Sequence, residues 1–74
     1  MKFHYYPETD SLYIELSSSD GNDSREVAPG VVLDFDFKGV LVGIDIDHAS
    51  KKVDLSRFEI EAFPMGKLLG HKNP

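Results

Sequence analysis

Val31-Val32-Leu33-Asp34-Phe35-Asp36-Phe37-Lys38-Gly39-Val40-Leu41-Val42-Gly43-Ile44-Asp45-Ile46 is the stretch that decides the fold. Val31, Leu33, Phe35 and Phe37 alternate with Val32, Asp34 and Asp36, and Val40, Val42, Ile44 and Ile46 alternate with Leu41, Gly43 and Asp45. A period of two is the signature of a half-buried strand. Lys38-Gly39 reads as a two-residue turn, which pairs Phe37 with Val40, Phe35 with Val42, Leu33 with Ile44 and Val31 with Ile46. Eight apolar side chains then line one face. A slip of one residue would turn a whole strand's set to water, so the register is strongly specified.

Working outward, residues 2–17 read as a second hairpin. Lys2-Phe3-His4-Tyr5-Tyr6 is aromatic-rich, which favours a strand. Pro7-Glu8-Thr9-Asp10 is turn chemistry, and Leu12, Ile14 and Leu16 alternate behind it. A four-residue loop pairs Tyr6 with Ser11, Tyr5 with Leu12, Phe3 with Ile14, His4 with Tyr13 and Lys2 with Glu15. Residues 17–24 form a polar loop with no apolar residue to bury, Arg25-Glu26-Val27-Ala28 a short strand, and Pro29-Gly30 a turn. Asp47 to Lys52 reads as a short helix with Asp47 as its N-cap and the lysines where the helix dipole favours cations. Residues 57–63 fit both a strand and a helix. The strand is preferred, because Glu59-Ile60-Glu61 alternates strictly and Pro64 stops the run.

The expected fold is therefore α+β and mainly β: a small antiparallel β-meander of about five strands, with one short helix after the long central hairpin. Residues 1–63 make a single β-rich domain, and 64–74 a C-terminal tail, partly ordered at best. The 74 residues have room for one domain with a thin core. With no cysteine, disulfides and thiolate zinc sites are excluded. Self-association is the leading way to complete such a core. The face around Phe3, Tyr5, Leu12, Ile14, Leu33, Phe35, Val42, Ile44 and Ile46 needs a cover, and a homodimer or higher homo-oligomer is expected.

The net charge is −5 and the longest basic run is Lys51-Lys52, which argues against nucleic-acid binding. No apolar run approaches the ~20 residues of a membrane span, and the N-terminus lacks signal-peptide character. A cytoplasmic location is expected.

Three segments carry a family resemblance. They are Tyr5-Tyr6-Pro7-Glu8-Thr9-Asp10-Ser11-Leu12-Tyr13-Ile14, then Ser24 to Asp36, then Gly39-Val40-Leu41-Val42-Gly43-Ile44-Asp45-Ile46 with Ala49-Ser50. Together, over roughly residues 3–52, they resemble the small prokaryotic domain of unknown function 2283 (DUF2283) family. The resemblance implies no established activity, substrate or catalytic residue. It is similar to small accessory proteins sometimes encoded beside toxin-like partners, which implies an antitoxin-like binding role with a partner encoded nearby.

Three groups are candidates for chemistry. Asp34 and Asp45 are diagonal neighbours on the polar side of the central hairpin, with Asp36 one step along. Converging carboxylates can hold Ca²⁺ or Mg²⁺ or do acid–base work, but a solvated strand face has the same pattern. His4, His48 and His71 lack metal-type spacing, and no serine or glycine sits in a nucleophile or phosphate-binding motif. His4, Tyr6 and Tyr13 share the outer face of the first hairpin and are the interface candidates, since aromatic residues with polar tips are enriched at interfaces. No catalytic residue and no cofactor is expected. The favoured reading is a non-enzymatic protein-interaction or antitoxin-like module that self-associates, with a metal-binding or acid–base enzyme on the acidic face as the alternative.

Overall fold

The computed structural model describes residues 1–62. The five strands are β1 (Lys2–Tyr6), β2 (Ser11–Glu15), β3 (Asp23–Ala28), β4 (Val31–Phe35) and β5 (Leu41–Asp47), and one short helix follows, α1 (Ala49–Lys52). All strands pair antiparallel in one open sheet of order β1-β2-β5-β4-β3. The β1–β2 hairpin thus docks on the β3–β4–β5 run through β2 and β5. Mainly-β architecture and the helix after the central hairpin are as the sequence implies. No helix among the described residues is long and apolar enough to cross a membrane.

The first hairpin has the expected register, from Lys2 opposite Glu15 to Tyr6 opposite Ser11. Joining β2 to β5 extends its rungs across the sheet. Phe3, Ile14, Ile44 and Leu33 form one apolar rung and Tyr5, Leu12, Ile46 and Val31 the next. The opposite face carries His4, Tyr13, Asp45 and Val32 in one rung and Glu15, Gly43, Asp34 and Ser24 in another.

The outer end of the central hairpin differs from expectation. Its loop has three residues, Phe37-Lys38-Gly39, because Asp36 N donates to Val40 O at 2.9 Å and Gly39 N to Asp36 O at 2.9 Å. Asp36 Oδ1 also accepts from Lys38 N and Val40 N, both at 2.9 Å. Gly39 sits at φ +83, which a side chain would resist. The wider loop shifts the pairing by one, so Phe35 lies opposite Leu41 rather than Val42. A bulge at Val42 absorbs the shift, and from Asp34–Gly43 inward the expected register holds. Phe37 and Val40 consequently leave the apolar face and are 79% and 54% exposed.

Three further boundaries move. Asp23 and Ser24 belong to β3 rather than to the polar loop, paired with Phe35 and Asp34. Asp47 ends β5 and does not cap the helix. The N-cap is His48, at φ 53 with no side-chain cap bond. Residues 57–62 are neither strand nor helix. They continue from Val53 as a strap across the apolar face, with Phe58 edge-on to Phe3 at 5.1 Å between ring centres. Glu59-Ile60-Glu61 alternates in the sequence, but no strand among the described residues lies beside it to complete a ladder. Residue 63, the tail 64–74 and His71 lie outside the described residues.

Candidate functional site

The helix is held from a distance. Asp10, at φ 55 in the first turn, takes the cap role that was expected of Asp47. Its backbone oxygen accepts from Ala49 N at 2.8 Å, and its carboxylate accepts from Ser50 N at 3.1 Å and Ser50 Oγ at 2.7 Å. Tyr5 OH adds a bond of 2.7 Å to the same carboxylate. These donors, Tyr5 first and Ser50 next, hold the Asp10 carboxyl below its ordinary value. Ala49, fully buried beneath this clip, fills the small space left.

On the polar face Tyr13 is the organising side chain. It stands opposite Asp45, leans over Gly43 and donates to Asp34 Oδ2 at 2.8 Å. A side-chain carbon at Gly43 would run into the Tyr13 hydroxyl and ring, so this lean requires glycine. Burial, then the bond to Asp34, pushes the Tyr13 phenol up to about 12. It is a neutral donor at any physiological pH. Asp34 Oδ1 accepts from Ser24 Oγ at 2.6 Å, so both of its oxygens are engaged. The Asp45 carboxylate has no hydrogen bond or ion pair among the described residues. Burial first, then the charges of Asp47 and Asp34, raise its carboxyl above the ordinary value. A cavity of about 400 Å³ lies over it, walled by Tyr6, Thr9, Ser11 and Tyr13.

The structure brings Asp34 and Asp45 to one face and leaves Asp36 at the base of the hairpin loop, where its carboxylate accepts two backbone bonds that serve the turn. Among the described residues no three His, Asp or Glu side chains are placed to share a metal ion. His4 lies against Tyr6 with ring centres 4.3 Å apart, beside Tyr13 on the same face. Asp47 turns to Ser11 Oγ at 3.4 Å and not to His48. Ser50 Oγ donates to the Asp10 carboxylate, which Tyr5 OH and Ser50 N also engage and hold below its ordinary value, so the base beside this hydroxyl is a weak one.

The apolar face is built differently. Among the described residues only Val42 and Ala49 are buried apolar residues, and no large side chain is fully buried. The strap leaves a cavity of about 430 Å³ against the sheet, walled by Phe3, Leu12, Ile14 and Ile46 below and by Val53, Leu55 and Phe58 above. Leu55, Phe58 and Ile60 are 43%, 67% and 46% exposed. Sequence reasoning missed the strap because its contacts follow no period.

The family comparison bears on this arrangement. The family described as "Protein of unknown function (DUF2283)" matches residues 2–50. The chain belongs to the DUF2283 family. Neither a curated protein nor a solved structure matches it significantly. In this DUF2283 protein the matched span contains all five strands and closes on Ser50, the residue that completes the Asp10 clip. The strap lies beyond it.

Proposed function

We propose that this DUF2283 protein is a non-catalytic interaction module that docks a polypeptide on the apolar face of its sheet. One observation carries the reading: none of the eight residues in the two apolar rungs is fully buried, and Phe3 and Tyr5 are 44% and 40% exposed. Hydrophobic area of that extent is what binding surfaces present. The polar face supports catalysis less well, since Tyr13, Asp34 and Ser24 satisfy one another and Asp36 is spent on its turn. An antitoxin-like partnership is the finer form that the family resemblance suggests, and it would use the same apolar face.

The test compares the faces. Complex formation in native cell extract is followed by the mass of the protein-containing species. Phe58→Asp on the apolar side should abolish it, while His4→Ala and Tyr6→Ala on the aromatic side should not. The reverse pattern would move the docking site to the aromatic patch and overturn docking on the apolar face.

A further inference from the structure

The geometry points to the cavity over Asp45 as a binding site for a small organic cation with N–H donors, of the alkylguanidinium or alkylammonium class. The site lies on the polar face, opposite the one assigned to docking, so it stands apart from that reading. The cavity is about 400 Å³ and spans two adjacent rungs, Tyr6–Ser11–Asp47 and His4–Tyr13–Asp45. That volume falls within the ~300–1,000 Å³ of small-molecule sites.

The side chains around it decide the class of ligand. Thr9 Oγ1 donates to Ser11 Oγ at 3.0 Å, Ser11 Oγ to Asp47 Oδ1 at 3.4 Å, and Tyr13 OH to Asp34 Oδ2 at 2.8 Å. These three hydroxyls have spent their protons and retain lone pairs. Asp45 adds a carboxylate with no hydrogen bond or ion pair among the described residues. Of the described lining side chains only Tyr6 keeps an uncommitted proton, and none is a lysine or arginine. Such a set accepts hydrogen bonds and has few to give, so it suits a ligand made of donors.

Charge and ring chemistry narrow the choice. Asp45 stands in the cavity, Asp47 and Asp34 beside it and Glu15 in the rung beyond Tyr13. The nearby cations have their own places: Lys2 opposite Glu15, His4 against the Tyr6 ring, and Lys52 Nζ on Asp47 O at 2.6 Å. Asp45 is half-buried, and burial first, then the charges of Asp47 and Asp34, raise its carboxyl above the ordinary value. A cation in the cavity would offset both effects. Tyr6 and Tyr13 supply aromatic walls, and tyrosine rings attract cations within ~6 Å of their faces. A guanidinium is planar, stacks on such rings and carries a fork of donors. A bare Ca²⁺ wants about six to eight oxygen ligands. Among the described residues no three His, Asp or Glu side chains are placed to share a metal ion.

The test titrates the full chain with n-butylguanidinium chloride at constant ionic strength, followed by NMR. Saturable shifts should centre on Tyr6, Tyr13 and Asp45. n-Butylurea has a similar shape without the charge and should bind at least about tenfold more weakly. Asp45→Asn should weaken n-butylguanidinium at least about tenfold with no fall in melting midpoint, which separates loss of the site from loss of the fold. Tyr6 is 46% exposed and can be truncated with the sheet intact. Tyr6→Ala should weaken binding about threefold. Parent-like binding by either variant overturns the site, and so does n-butylurea binding as well as the cation. Shifts spread evenly over Glu59, Glu61 and the other exposed acids would show screening alone and overturn it too. Displacement of the probe by MgCl₂ at matched ionic strength would give the cavity to an inorganic ion and overturn the organic class.

Discussion

The two faces of this sheet are made from the same strands and solve opposite problems. On the polar face, Tyr13, Asp34 and Ser24 complete one another over a few ångströms, with bonds of 2.8 and 2.6 Å. On the apolar face, Phe3, Ile14, Ile44 and Leu33 line up equally well, yet the strap leaves Phe3 44% exposed. A hydrogen bond is short and directional, so a few residues of one chain can satisfy it. Apolar burial needs volume on the far side, which a single five-stranded layer cannot supply for itself. A small sheet can therefore finish its polar face with its own side chains, whereas its apolar face needs a second layer over it.

The contrast can be broken first at Gly43. Gly43→Ala forces the Tyr13 ring off its perch and with it the bond to Asp34. A loss of about 2–3 kcal/mol is expected in urea denaturation, the usual scale for a side chain inserted where there is no room. A loss near zero would show that Tyr13 is not held over that glycine. Tyr13→Phe keeps the ring and removes only the hydroxyl. It should cost about 1 kcal/mol, one hydrogen bond's worth, and should remove the phenol that titrates near 12.

Acid sharpens the comparison at the clip. Asp10 is held below its ordinary value in the folded chain, so its bonds contribute stability above the unfolded carboxylate value of about 4. That contribution falls away as pH drops through the folded value. Asp10→Asn should lower the melting midpoint at neutral pH and flatten its fall on acidification. An acid limb as steep as the parent's would exonerate Asp10.

Asp45 has the opposite sign. Its folded value is raised, so its ionisation costs stability at neutral pH, and the cost disappears on protonation. Asp45→Asn should therefore stabilise the protein at pH 7 by about a few tenths of a kcal/mol, because much of the group still meets water. A destabilised variant would mean that the carboxylate has a partner. The smallest effect belongs to Phe37, 79% exposed at the loop tip. Phe37→Ser should stay within about 0.5 kcal/mol of the parent by the same denaturation measurement.

Legibility in the sequence differs by element. The register of β1 and β2 follows from alternation and a four-residue turn, and it stands pair for pair. Val31 to Asp34 and Gly43 to Ile46 likewise pair as their alternation implies, and Asp34 and Asp45 fall on one face. The loop departs from expectation because Lys38-Gly39 looks like a two-residue turn, whereas Asp36 can accept two backbone bonds and favours the wider one. Only the compensating bulge at Val42 lets the inner register survive that difference. At the site, the tyrosine–aspartate pairing is visible as shared facing, but the bond from Tyr13 across Gly43 is not. It needs β2 beside β5, and that pairing joins segments about thirty residues apart.

The amino-acid sequence alone therefore determined the two hairpins, the register of the first and the inner register of the central one, and which of those paired side chains share a face, since these depend on a period of two and on nearby turns. Tertiary structure decided the rest: β2 beside β5, Asp10 as the cap of a helix 40 residues away, and the strap on one half of the apolar face. Those contacts depend on which surfaces meet once the hairpins have formed. No local spacing encodes a meeting of that kind, because any two apolar rungs could in principle pair, and the choice is made by the fit of the whole sheet.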